Sequence, residues 1–216
     1  MQKVALIVAG GKGERMNANI AKQFLLLNGT PILMHTLKKF SHFEKIVLVL
    51  PHSHFEYWEE LCNNYKFRQP LTLVAGGKTR FHSVKNGLDV IAENTIVAIH
   101  DGVRPLISTS LINELVAETK SGIGIIPIVP VKDSIRKVEG ENSVHADRNN
   151  LFKVQTPQCF FSADIQKAYT QDFSEIFTDD ASVFEGNGGK INTLLGEEKN
   201  LKITTEKDLK IASILI

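Results

Sequence analysis

"VALIVAGGKGERM" (Val4–Met16) decides how the chain is built. Its first six residues, Val4–Ala9, are apolar without polar alternation, the mark of a strand covered on both faces. The strand runs directly into Gly10, Gly11 and Gly13, with Lys12 and Arg15 beside them. Glycines at a strand end let backbone N–H groups come close to an anion, and the two cations add charge. The stretch predicts a buried strand whose carboxyl end is either a loop that holds phosphate or a glycine-rich turn with no ligand.

Two common glycine motifs fail here. The dinucleotide pattern G-x-G-x-x-G fits Gly11 and Gly13, but its third position is Met16, and Leu50 ends the second strand without the expected acid. The P-loop pattern would need a glycine at Thr72 before the "GKT" of Gly77–Thr79. A nicotinamide-binding oxidoreductase and a P-loop ATPase are thereby set aside.

Further strands are expected at Lys45–Leu50, Leu71–Val74, Thr95–Ile99 and Gly122–Val129. Helical patterns fall between them at Pro31–Phe40, Ser53–Tyr65, Arg80–Ile91 and Ser108–Lys120, with Pro31 at the first helical position. "NGT" (Asn28–Thr30) reads as a tight turn. This alternation predicts an α/β fold with a parallel, doubly wound sheet, in which ligands bind at the carboxyl ends of the strands. The third and fourth strands also end in polar motifs. "GGKTRFHSVKNGL" starts at Gly76, and as a helix it puts Phe81, Val84, Leu88 and Ile91 on the core face and Arg80, Ser83 and Gly87 on another. "IHDGVRP" starts at Ile99, setting Asp101 where a ligand or Mg²⁺ would lie, with Arg104 three residues on.

Composition narrows the function classes. The 216 residues suit one domain, 43% are hydrophobic and 23% charged, and the formal net charge is +1. That charge gives no basic field for nucleic acid or a membrane surface. No apolar run approaches the roughly 18 residues of a membrane span. Cys62 and Cys159 form no CxxC, which suits free thiols in the cytoplasm. One stretch breaks the alternation: Val131–Gln155 is mostly polar, with turn-like "EGEN" inside it. About 25 residues is long for a connection, so it is either a surface hairpin or an arm that reaches something.

Taken in order, "AGGKGERM…KQF", "GGKTRFHSVKNGL", "HDGVRP", "DRN…VQTPQ", "TDDAS" and "LKITTEKDL" resemble the 2-C-methyl-D-erythritol 4-phosphate cytidylyltransferase family over nearly the whole chain. The resemblance implies one Rossmann-like nucleotidyltransferase domain, 1–216, with 131–155 as a β-arm exchanged across a homodimer. It also implies cytidylyl transfer from CTP to methylerythritol phosphate, with release of pyrophosphate, in non-mevalonate isoprenoid synthesis. Ala9, Gly10, Gly11 and Gly13 would wrap the triphosphate, and Gly76, Gly77 and Ser83 would read the cytosine. Arg15 and Lys22 would stabilise the transition state, and Lys202 would face the reacting phosphates. Asp101 would bind Mg²⁺, and Arg104 and Thr156 would lie near the second substrate. Ser134 and Arg148 would reach the polyol phosphate in the partner subunit's site. Three positions depart from the family: Ala21 stands where proline is usual, Lys78 follows the "GG", and Ser134 replaces threonine.

The chemistry suits this set. A phosphate monoester has its second pKa near 6 and is already a nucleophile at neutral pH, so no general base is needed. His100 is read as structural, and "HSH" (His52–His54) as capping or solvent-exposed. Ribitol-5-phosphate cytidylyltransferase shares "GGKG…R", "HDxxRP" and "QTPQ" and is the nearest alternative. A catalytically dead binding module is a third reading, opposed by the joint presence of Arg15, Lys22, Asp101 and Lys202.

Overall fold

The quoted stretch begins as strand β1 (Lys3–Val8). A computed structural model of the protein describes residues 1–10 and 20–216. A short hairpin, β2 (Leu26–Leu27) and β3 (Thr30–Pro31), precedes helix α1 (Ile32–Lys39). There follow β4 (Lys45–Leu50), α2 (Phe55–Asn64), β5 (Thr72–Ala75), α3 (Arg80–Leu88), β6 (Ile96–Asp101), α4 (Thr109–Glu118) and β7 (Ile123–Pro130). The last third carries β8 (Ile135–Glu139), β9 (Asn142–Ala146), β10 (Phe152–Val154), β11 (Gln158–Phe161), α5 (Ser162–Ala168), α6 (Asp180–Gly186), β12 (Lys190–Leu195) and α7 (Glu206–Leu215).

The main sheet has the order β10-β7-β11-β6-β1-β4-β5, with β12 also pairing β7. Its β6-β1-β4-β5 half is parallel, as the alternation predicts. The other half differs, because β10 and β11 run antiparallel to their neighbours. The reason is the connection: no helix separates β7 from β10, and a strand returning without a crossover must run antiparallel. Pro31 also differs from expectation, since it closes β3 and only caps α1. The "NG" turn is as read: Leu27 pairs Thr30, and Asn28 and Gly29 both have positive φ, 46° and 81°.

Strand alternation builds two cores. Ala5 and Ile7 of β1, with Leu48 and Leu50 of β4, face α1, α2 and α4 through Leu33, Leu37, Trp58, Leu61, Ile112 and Leu115. Val4, Leu6 and Val8, with Val47 and Val49, face α3, α5 and α6 through Phe81, Val84, Leu88, Ile165 and Phe184. Each fully buried leucine or isoleucine here contributes about 1.5–3 kcal/mol over its exposed state. The core face expected for α3 is the one observed, with Ile91 just beyond the helix end still buried.

Register brings the strand ends together. Val8 stands opposite Asp101 on one side and Val49 on the other, and Leu50 stands opposite Ala75. The ladder continues past the strands: Ala9 N–H donates to Val49 O (2.9 Å), Gly76 N–H to Leu50 O (2.8 Å) and Gly102 N–H to Val8 O (2.9 Å). The chains leaving β1, β4, β5 and β6 therefore start in one row.

The polar stretch contains a hairpin. Strands β8 and β9 pair with each other, from Ile135 opposite Ala146 to Glu139 opposite Asn142, and form a sheet of their own. Its side chains are mostly exposed, Val138 and Val144 included. An ion pair between Lys132 and Glu198 ties its base to the loop before α7. Among the described residues no helix is long and apolar enough to cross a membrane.

Candidate active site

The row of strand ends opens into a cleft of about 950 Å³, within the range of small-molecule sites. Val8, Ala9 and Gly10 form its floor, and the loop Gly76–Arg80 forms one wall. That loop is shaped by Ser83 on the first turn of α3. The Ser83 hydroxyl donates to Thr79 O (2.9 Å) and accepts from Gly77 N–H (3.1 Å). A side chain at position 77 would meet His82 Cβ at 2.4 Å, so glycine alone fits the turn. On the far side, Gln23 is buried and its amide donates to Ala9 O at 3.0 Å. This bond fixes the turn carrying Lys22 beside the end of β1. Lys22, His52, Ser53, His54 and Lys202 complete the lining.

Asp101, the last residue of β6, is the focus of charge. Its Oδ2 is approached by Arg104 Nε (3.1 Å) and Lys202 Nζ (3.0 Å), and its Oδ1 by Arg80 Nε (3.7 Å). Burial pushes the carboxyl toward the neutral form, but Arg80, Lys202 and Arg104 outweigh it and hold the pKa well below the usual carboxylate range. Two of these cations have second anchors. Arg104 Nη1 donates to Asn200 O (2.9 Å). Arg80 forks onto Asp180 at 2.8 and 2.6 Å, and Tyr169 donates its hydroxyl to the same carboxylate at 2.6 Å. Asp180 is fully buried at the start of α6, where Asp179 caps the helix in a reciprocal capping box.

A second chain of hydrogen bonds runs under Asp101. Its backbone N–H donates to Thr156 Oγ1 (3.1 Å), and the Thr156 hydroxyl donates to His100 Nδ1 (3.0 Å). His100 Nε2–H donates to Arg104 O (3.1 Å), which fixes the neutral tautomer. Burial lowers the His100 pKa to about 4. The structural reading of His100 agrees with this position.

The structure brings together Ala9, Gly10, Lys22, Gly76, Gly77, Ser83, Asp101 and Lys202 along the cleft. Arg104 contacts Asp101 from beside it, and Thr156 lies beneath with its hydroxyl already engaged. Gly11, Gly13 and Arg15 lie outside the described residues. Ser134 and Arg148 stand at the base of the hairpin, exposed, and Arg148 donates to Lys132 O. Of the "HSH" residues, His52 and Ser53 are exposed, and His54 stands at the N-cap of α2 without a side-chain capping bond; the three form a turn on the cleft wall. The reading of the motifs gave no role to Arg80, Asp180 or Tyr169. The "R" of "GGKTR" and the second "D" of "TDDAS" carried that signal, but 100 residues separate them.

This arrangement suits transfer between two anions. Cations line the cleft, no base–nucleophile pair is among its described lining, and a glycine wall leaves backbone groups open. Among the described residues no cluster of three or more His, Cys, Asp or Glu could cage a metal ion by itself. One carboxylate with the oxygens of a bound triphosphate is, however, a donor set that fits Mg²⁺.

A mixed α/β sheet with cations and glycine turns at its carboxyl edge has the architecture of a nucleotidyltransferase. The family described as 2-C-methyl-D-erythritol 4-phosphate cytidylyltransferase matches residues 3–216, and the chain belongs to it. A cytidylyltransferase of that description from Porphyromonas gingivalis is 46% identical over all of this chain and 98% of its own length. One from Geobacillus thermodenitrificans is 38% identical over all of this chain and 97% of its own. The crystal structure of the Francisella tularensis cytidylyltransferase superposes with a TM-score of 0.83 at 30% identity, covering both chains fully. The protein is thus a cytidylyltransferase of isoprenoid biosynthesis, and the ribitol-phosphate alternative is not favoured.

Proposed function

We propose that CTP and 2-C-methyl-D-erythritol 4-phosphate meet in this cleft and that its residues divide the work as follows. The observation that carries the reading is the buried Asp101 carboxylate with three cations around it, set among the ends of β1, β4, β5 and β6. The Ala9–Gly13 backbone faces the triphosphate, and the Gly76–Gly77 turn, held by Ser83, takes the base. Arg15 and Lys22 offset the charge that grows on the leaving pyrophosphate. Arg104 and Lys202 flank the attacking phosphate, which needs no proton removed. Thr156 acts indirectly, by holding the backbone of Asp101. A Mg²⁺ ion held by Asp101 and phosphate oxygens would withdraw charge from the phosphates.

The second copy of the chain belongs to the same proposal. Ser134 and Arg148 sit at the base of a hairpin that pairs with itself; Val138 and Val144 are exposed on its two opposite faces, and Leu151, Phe152 and Val154 are exposed on the segment that follows it. Apolar side chains exposed along such an arm suit a protein partner. A homodimer exchanging its hairpins would carry Ser134 and Arg148 to the other chain's polyol phosphate. The free thiols Cys62 and Cys159 suit the cytoplasm.

Pyrophosphate release by the purified protein tests the reading. CTP with methylerythritol phosphate and Mg²⁺ should give turnover, and UTP, ATP or GTP, or ribitol 5-phosphate, should give far less. Equal turnover with ribitol 5-phosphate would overturn the substrate assignment, and full activity in excess chelator would overturn the metal.

A further inference from the structure

The three cations around Asp101 are not equivalent. Arg104 is also bound to Asn200 O, and its side chain is 11% exposed. Arg80 is forked onto the fully buried Asp180. Each arginine thus has a second anchor that holds it in place if Asp101 finds another partner. Lys202 differs. Its side chain is 40% exposed, and Asp101 is its ionic partner among the described residues. Its backbone is fixed, because Ile203 is buried and donates its N–H to Val103 O at 3.0 Å. The long side chain can therefore swing without disturbing the fold. Charge points the same way. Arg80 balances Asp180 and Arg104 balances Asp101, so Lys202 is the surplus cation of the group.

We propose that Lys202 is an exchangeable counter-ion. It covers Asp101 Oδ2 while the cleft is empty, and gives that oxygen up to a divalent cation entering with the nucleotide, which frees its ammonium for the phosphates. The inference rests on the reading of Asp101 as a metal ligand. Lys202 then acts in two stages with one side chain: it occupies Asp101 Oδ2 before substrate arrives, and it supplies positive charge to the phosphates afterwards. The arginines are too well anchored to do both.

The exchange makes a prediction of unusual sign: removing a binding-site lysine should tighten metal binding. Mn²⁺ titrated into the full chain carrying one equivalent of a non-hydrolysable CTP analogue, and followed by the electron paramagnetic resonance of free Mn²⁺, reads this directly. Lys202→Gln should bind Mn²⁺ about tenfold more tightly than wild type, the order expected for removing one partly screened neighbouring charge. Lys207→Gln, the same charge change on exposed α7, should leave affinity unchanged. Asp101→Asn added to Lys202→Gln should abolish the gain. An unchanged or weaker affinity in Lys202→Gln would overturn the exchange. A separate arm checks the underlying reading: Asp101→Asn should weaken Mn²⁺ binding in the presence of CTP. If it does while Lys202→Gln gains nothing, only the exchange fails. If Asp101→Asn binds Mn²⁺ and CTP as well as wild type, the metal assignment fails and the exchange with it.

Discussion

His100 sits one residue before an ionised Asp101 and yet stays neutral. Burial removes the water that would hydrate an imidazolium, and both ring nitrogens already have partners that suit the neutral form. The unfolded chain takes up a proton at this position below about pH 6.5, and the folded chain does not until about pH 4. Stability is therefore fully present above pH 6.5 and falls as pH drops toward 4, by on the order of 3 kcal/mol from this group. His35, also lowered, adds in the same direction. Urea unfolding of the ligand-free protein from pH 7.5 to 4.5 should follow this slope, and His100→Gln should flatten it. The Asp180 carboxylate makes a second case. Arg80→Met leaves it buried with no cation partner among the described residues and should destabilise by roughly 3–5 kcal/mol, whereas Tyr169→Phe removes one charge-assisted hydrogen bond and should cost about 1.5–3 kcal/mol. Equal losses in a urea titration would mean that the arginine is not the main counter-charge. At this scale the sequence displays residue types but not pairings. Asp101 and Arg104 are legible together because three positions separate them, while Arg80 and Asp180 meet only after the chain has folded α5 and α6 behind α3.

Elements differ in how plainly their residues announce them. The turn at Asn28–Gly29 is set by local chemistry, since the type I′ form of a two-residue hairpin needs positive φ at both positions. Gly29→Ala should destabilise by about 1 kcal/mol through its φ of 81°, with turnover unchanged, because nothing lies within 4 Å of a new Cβ. A calorimetric loss accompanied by lost turnover would show that the hairpin reaches the cleft, for instance through the bond from Asn28 to Ser213 O on α7. Helix α3 is as legible, since its apolar spacing sets one face on the sheet and so turns Arg80 and Ser83 toward the cleft. Strands β10, β11 and β12 are not. Lys190–Leu195 is largely exposed and follows no strict alternation, and β11 opens with Gln158, which is fully buried because its amide bonds Asp179 and Ala181. A pattern method counts such a glutamine as surface; only the partner groups reveal it as core.

At the scale of the whole molecule, a parallel half-sheet explains where the site lies, and the antiparallel half explains what hangs beside it. Because β7 returns through a hairpin and not through a helix, Ser134 and Arg148 leave the chain's own sheet and stand exposed. The resemblance supplied the residues that composition could not, Lys202 and Arg148 among them, and geometry adds that one lines the cleft while the other does not. The proposed exchange of hairpins then has a decisive consequence. Lys22→Ala should lower kcat by about 10²–10³, the usual effect of removing a charge-stabilising donor. Arg148→Ala should lower turnover by roughly tenfold or more through one lost contact to a phosphate. When the two impaired variants are unfolded together in equal amounts and refolded, about half the dimers are mixed. If Arg148 serves the partner's site, each mixed dimer has one site with both changes and one with neither, and activity returns to about a quarter of wild type. If Arg148 serves its own chain, every site keeps a defect and activity stays at the parental level. Mass spectrometry of the intact dimers separates a failure to mix from a true negative, so confirmed mixed dimers without recovery would remove the shared site.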